Sequence, residues 1–132
     1  MTVSDVTSDQ PSDARLVDVR PLADALATFA RERDWEQFHS PKNLVMALTG
    51  EVGELTEIFQ WMGEEASKGA ARHPQHAQAI RDELADVLLY VVRLADVLGV
   101  DLNDVAKEKL RTNATKYPTS KARGSSKKYT EL

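Results

Sequence analysis

The sequence predicts an all-α fold, and three observations predict it. Apolar residues recur at the three- and four-residue spacing of a helix face in four separate stretches. Those stretches are bounded by helix punctuation: Pro21, the Ser40-Pro41 pair, Gly99, Asp101 and Pro118. No segment alternates as a half-buried strand would, and neither an internal repeat nor a heptad pattern is present. Four main helices in 132 residues fit one domain with a four-helix-bundle-like architecture. A domain this small buries a modest share of its surface, which makes self-association into an oligomer compatible with the composition.

The elements follow in order. Residues 1–17 are polar and aperiodic and are expected to be a disordered tail. Pro21 opens a first helix that carries Leu22, Leu26, Phe29 and Ala30 on one face and closes through "RERD" near Trp35. Ser40 and Pro41 cap and start a second helix running to about Met62, with Leu44, Leu48, Val52, Leu55, Phe59 and Met62 on one stripe. Gly50 and Gly53 inside it suggest close approach of a neighbouring backbone. A polar connection, broken by Gly69 and Pro74, leads to a third helix that ends at Gly99. Its segment "LADVLLYVVRLADVLGV" is apolar nearly all round, so it should be the most buried helix. Asp101 caps a fourth helix with Leu102, Val105, Ala106 and Leu110 facing inward, and Pro118 stops it. The helical domain therefore spans residues 18–117, followed by a basic tail over 118–132.

Composition excludes several functions. The chain has no cysteine, so disulfides and thiolate metal sites are ruled out. The N-terminus lacks the basic start and apolar run of a signal peptide, and no apolar stretch is long enough to span a bilayer. A cytoplasmic protein with no membrane partner is expected. The net charge of −4 is uneven: residues 116–132 carry +4, leaving −8 on residues 1–115. An acidic body is a poor nucleic-acid binder.

The informative stretch is "GEVGELTEIFQWMGEE". At about 100° per residue, Glu51 falls within about 20° of Leu44, Ile58 and Met62, inside the apolar face. Glu54, three residues on, is its neighbour, and Glu57 lies further toward solvent. The third helix repeats the arrangement: Glu83 sits between Tyr90 and Leu94 in azimuth, and Asp86 flanks it. Four carboxylates directed at a core would repel one another and be costly to desolvate. Arg93 is the one base on that side of the third helix. A hard divalent cation, Mg²⁺ or Mn²⁺, resolves the conflict, with Glu51, Glu54, Glu83 and Asp86 as ligands. A di-iron carboxylate bundle would need two Glu-x-x-His pairs, and the chain has one, Glu36 to His39. There is no nucleophile-and-base pattern and no Gly-rich phosphate loop.

Aromatic residues cluster around these acids. Trp35 and Phe38 precede the second helix, Trp61 follows the acids near the azimuth of Glu54, and Tyr90 follows Glu83. Each could be core packing. Together, beside a cation that holds phosphates, they suggest a slot in which a base stacks.

The stretches "RDWEQFHSPKNLVMALTGEVGELTEIFQW", "ELADVLLYVVRLADVLGVDL" and "SSKKYTEL" resemble the MazG-like all-α nucleoside triphosphate pyrophosphohydrolases, most closely the branch that acts on dCTP. The paired ExxE and ExxD motifs mark the superfamily; "DWEQFH" and the C-terminal segment are more specific to the branch. The resemblance implies Mg²⁺-dependent cleavage between the α and β phosphates, giving a monophosphate and pyrophosphate, and a homotetramer with sites at subunit contacts. It implies Glu51, Glu54, Glu83 and Asp86 as metal ligands. It implies Trp35, Glu36, Gln37, Phe38, His39, Trp61 and Tyr90 as the nucleotide pocket. Where the branch is expected to place a histidine on the first helix, this chain has Leu26, which leaves base and sugar preference open.

Glu54 or Glu57 is the candidate to orient the attacking water. Arg111 and Lys116 are candidates for the β and γ phosphates. His39, at the mouth of a helix N-terminus, is expected at a phosphate or at the base. Two alternatives stand beside this reading: a non-catalytic helical oligomer that binds Mg²⁺ structurally, and a relative preferring dUTP or another deoxynucleotide.

Overall fold

The structure, a computed structural model, describes residues 14–132. Most of the predicted tail therefore lies outside the described residues. Among the described residues there are helices and turns and no strand, as the periodicity predicts. The chain divides into two compact units, one spanning Val19–Val100 and the other joining residues 14–18 to residues 101–132.

The central unit holds α1 (Arg20–Glu32), α2 (Pro41–Phe59), α3 (Glu64–Lys68) and α4 (Ala77–Leu98). Pro21 lies in the first turn of α1. Beyond its end, Asp34 takes a left-handed conformation with φ 54°, and the Trp35 N–H donates back to the Ala30 carbonyl at 2.8 Å. That reversal places the short 3₁₀ turn Glu36–Phe38 ahead of α2. Ser40 caps α2 as predicted, its hydroxyl accepting from the Asn43 N–H at 3.2 Å. Gly99 ends α4 with φ 70°, a conformation that glycine adopts without steric cost. The connection after α2 is more ordered than its polar composition suggests. It folds into α3 and a 3₁₀ turn, Ala70–Arg72, which packs on α4 and buries Ala70.

α4 lies along α2 and, over a shorter stretch, along α1. The core is formed by Ala23 and Ala30 of α1, Leu44 of α2, and Ile80, Val92 and Ala95 of α4. α4 thus supplies more of the core than any other helix, but it is not enclosed all round. Leu84 and Leu88 stay half-exposed, as do Val45, Met46 and Val52 of α2. Among the described residues, nothing covers these apolar side chains fully. Among the described residues, nothing lies within 4 Å of where a Cβ would stand on Gly50 or Gly53, so close approach of those residues does not account for the glycines.

The second unit contains α5 (Leu102–Lys116), α6 (Thr119–Ala122) and a terminal 3₁₀ turn, Tyr129–Glu131. Asp101 caps α5 by accepting from the Asp104 N–H at 3.1 Å. Buried Asn103 accepts from the backbone N–H of both Leu16 and Val17, at 2.7 and 3.1 Å. Val105 and Leu110 are exposed, contrary to the inward face expected of them.

Candidate metal and nucleotide site

α2 and α4 bring the predicted acids together. Glu51, Glu83 and Asp86 each offer one oxygen, and the three atoms lie within 4.8 Å of one another. All three residues are half-buried. Glu51 Oε2 and Glu83 Oε2 are buried with no hydrogen-bond partner. Glu83 is pushed up to about 7, first by the proton it shares with Glu51, then by desolvation, then by Glu54. Orphaned buried oxygens and a carboxyl that holds its proton at neutrality are what a cation site looks like when only protein groups are present. The donor set is all carboxylate, which suits a hard divalent ion.

Glu54 is exposed and near enough to Glu83 to raise it, but its oxygens are not part of the close triad. Glu57 is exposed on α2. The fourfold ligand set expected from the sequence is thus a close triad with Glu54 beside it.

A cavity of about 150 Å³ opens beside Asp86 of that triad. Leu26 and Phe29 of α1 and Leu89 of α4 form its apolar wall. Its polar lining is Trp35, His39, Asp86, Tyr90 and Arg93. Phe29 meets Trp35 edge-on with ring centroids 5.7 Å apart, and Trp35 meets His39 at 6.4 Å. Asp86, Tyr90 and Arg93 share one face of α4 at spacings of four and three residues. Arg93 Nε donates to His39 Nδ1 at 3.1 Å. His39 is pushed below its ordinary value, first by burial and then by the Arg93 charge, so the imidazole is neutral at pH 7.

The other pocket candidates are not among the residues lining this cavity. Glu36 pairs with Arg31 at 3.6 Å, and the Gln37 amide donates to Asp34. Phe38 is 59% exposed and Trp61 88% exposed, and neither lines the cavity. Arg111 and Lys116 are on α5 in the second unit, where Lys116 Nζ stands 4.8 Å from the Tyr129 ring centre. Phe29, Leu89 and Arg93 were not anticipated as lining residues. Phe29 and Leu89 read as ordinary core, and Arg93 as a lone base on an apolar helix.

The all-α unit thus sets three carboxylates that could hold a cation beside an aromatic-walled cavity. Residues 47–132 match the family model described as the MazG-like family. The chain is 48% identical over 121 residues to dCTP pyrophosphatase 1 of Bos taurus, covering 92% of this chain and 70% of that one. It is 50% identical over 119 residues to dCTP pyrophosphatase 1 of Homo sapiens, covering 89% and 67%. A pyrophosphatase crystal structure from Archaeoglobus fulgidus superimposes with a TM-score of 0.71 at 32% identity, covering 82% of this chain and 99% of that one. The chain belongs to the MazG-like family.

Proposed function

We propose that this protein is an Mg²⁺-dependent pyrophosphohydrolase that cleaves dCTP with water between the α and β phosphates, releasing dCMP and pyrophosphate. The single observation that carries the reading is the double membership of Asp86, which belongs both to the acid triad and to the cavity wall. One side chain thereby ties the place where phosphates would be held to the place where a base would sit. The relatives named dCTP pyrophosphatase support dCTP as the substrate.

Glu51, Glu83 and Asp86 would hold the cation, with Glu54 beside them. When bound, Mg²⁺ supplies charge neutralisation at the phosphate oxygens and a favoured position for water. The aromatic wall of Phe29, Trp35 and Tyr90 encloses the base and excludes water from it. Glu54, exposed and adjacent to Glu83, is placed to orient the attacking water and accept its proton. Glu57 lies one turn further along α2 and is the reserve candidate.

The active species is a homo-oligomer, a tetramer in keeping with the resemblance. The half-exposed Val45, Met46, Val52, Leu84 and Leu88 are the surface that another copy would cover. No helix among the described residues is long and apolar enough to cross a membrane, and the setting we assign is the cytoplasm. Pyrophosphate release from dCTP, CTP, dUTP, dTTP and dATP, with Mg²⁺ and with chelator, tests the reading. The expected result is Mg²⁺-dependent release led by dCTP. Release led by dATP or dUTP would remove the substrate assignment, and no release from any nucleotide would remove the reaction.

A further inference from the structure

Arg93 is held from two sides. Its Nε donates to His39 Nδ1 at 3.1 Å, and its Nη1 stands 3.7 Å from Asp96 Oδ2. Asp96 is itself anchored, accepting from Arg20 Nη2 at 2.9 Å, and Arg20 also bonds Asp24. The Arg93 side chain is only 11% exposed, yet it borders the cavity. A guanidinium offers five N–H donors and accepts nothing. A neutral imidazole that accepts at Nδ1 must carry its proton on Nε2. His39 therefore presents a donor on its remaining nitrogen.

The rest of the lining adds to the imbalance. The Trp35 indole N–H can only donate, the Tyr90 hydroxyl can do either, and Leu26 offers nothing polar; the one carboxylate acceptor, Asp86, belongs also to the acid triad.

We propose that Arg93 and His39 form the base-selecting element of the cavity, Arg93 donating to the base edge while fixing His39 as its Nε2–H tautomer. The inference rests on the nucleotide reading above and names the residues that set its preference. A donor-lined wall fits a ring that presents adjacent acceptors. Cytosine does so with O2 and unprotonated N3. Uracil and thymine carry a hydrogen on N3, which would face donors and leave buried groups unpaired. Guanine presents adjacent acceptors at O6 and N7 that suit arginine. The cavity of about 150 Å³ is small for its fused rings beside the roughly 300–1,000 Å³ typical of drug-sized ligands. With Leu26 apolar, selection on this site falls to the α4 wall and His39.

The test uses the full chain loaded with Mg²⁺ and the non-hydrolysable α,β-imido analogues of dCTP and dUTP, with affinities measured by calorimetry. The wild-type protein should bind the cytosine analogue more tightly. Arg93→Met should weaken that analogue about tenfold while weakening the uracil analogue less than about threefold, so the ratio collapses. Arg93→Lys, a point charge without the planar fork, should not restore it. Nitrogen chemical shifts of His39 should report a proton on Nε2 in the wild type and a mixture of tautomers in Arg93→Met. An unchanged affinity ratio in Arg93→Met, or a wild-type His39 protonated on Nδ1, overturns the proposal. The wild-type shifts decide the tautomer even if Arg93→Met fails to fold. Pyrophosphate release measured on the same preparations keeps the two readings apart. A collapsing ratio without hydrolysis supports base selection and removes the reaction, whereas hydrolysis with an unchanged ratio removes base selection alone.

Discussion

Loading the acid triad should expel a proton, and the amount is fixed by Glu83. Its carboxyl is pushed up to about 7 because it shares a proton with Glu51, is partly desolvated and lies beside Glu54. The proton belongs to the coupled pair, and a divalent cation that takes the same oxygens must displace it. A group titrating near 7 is about nine-tenths protonated at pH 6, half at pH 7 and one-tenth at pH 8. Mg²⁺ or Mn²⁺ binding should therefore release about 0.9, 0.5 and 0.1 protons at those three values. Calorimetric titration in two buffers of different ionisation enthalpy measures this directly as the slope of apparent enthalpy against buffer enthalpy. Glu83→Gln should remove the release together with most of the affinity. A slope of zero at pH 6, or one that does not change up to pH 8, would refute the shared proton and with it the placement of the cation on this triad. The same shift sets the sign of the stability profile. Glu83 is raised from an ordinary 4.5, so its contribution to the metal-free fold is complete below 4.5 and is lost as pH rises through about 7. Metal-free protein should lose melting temperature between pH 5 and 8, and the increment given by Mg²⁺ should grow over the same interval.

Three further outcomes are expected. Glu51→Gln and Asp86→Asn should each abolish pyrophosphate release while leaving the helical circular dichroism intact, because amides are poor ligands for hard cations; near wild-type turnover would take that residue out of the site. Trp35→Ala should weaken nucleotide binding by roughly 1 to 3 kcal/mol, whereas Trp61→Ala, at a side chain 88% exposed, should leave the melting temperature unchanged; a Trp35→Ala protein with unaltered KM would return Trp35 to packing alone. Leu88→Asp on the open face of α4 should dissociate the proposed oligomer, read as a fall in mass by light scattering; a wild-type mass of one chain would remove the oligomer, and an unchanged oligomer mass would place the subunit contact elsewhere.

The helices were legible because their punctuation is local. Ser40, Gly99 and Asp101 each act within a few residues, so the spacing that predicts a cap also builds it. Burial was less legible because it depends on what lies opposite. An apolar face on α4 predicts that something covers it, but the periodicity does not say whether that cover is α2 or a second copy. Val92 and Ala95 meet the chain's own helices, while Leu84 and Leu88 on the same helix meet solvent. The short α3 and its 3₁₀ turn escaped notice for the opposite reason. "EEASKGAAR" carries too few apolar residues to show a period, and the turn that packs on α4 buries only Ala70.

The site divides along the same line. Glu51 and Glu83 could be found from azimuth alone, since a carboxylate in the middle of an apolar face is anomalous within its own helix. Arg93 could not. Seven residues from Asp86 on an apolar helix, it looks like a base seeking an acid, and Asp96 three residues on supplies one. Its second partner, His39, is 54 residues away in sequence, and only the packing of the first turns of the unit against α4 brings them to 3.1 Å. The sequence does carry one trace of this arrangement. Leu26 stands where the resemblance leads one to expect a histidine, and it lines the same cavity as the Arg93 cation. Read alone, Leu26 suggests relaxed selectivity. Beside Arg93 and a His39 held in one tautomer, the same leucine is an apolar part of a cavity whose donors come from Arg93 and His39, which predicts discrimination by those donors and not its loss.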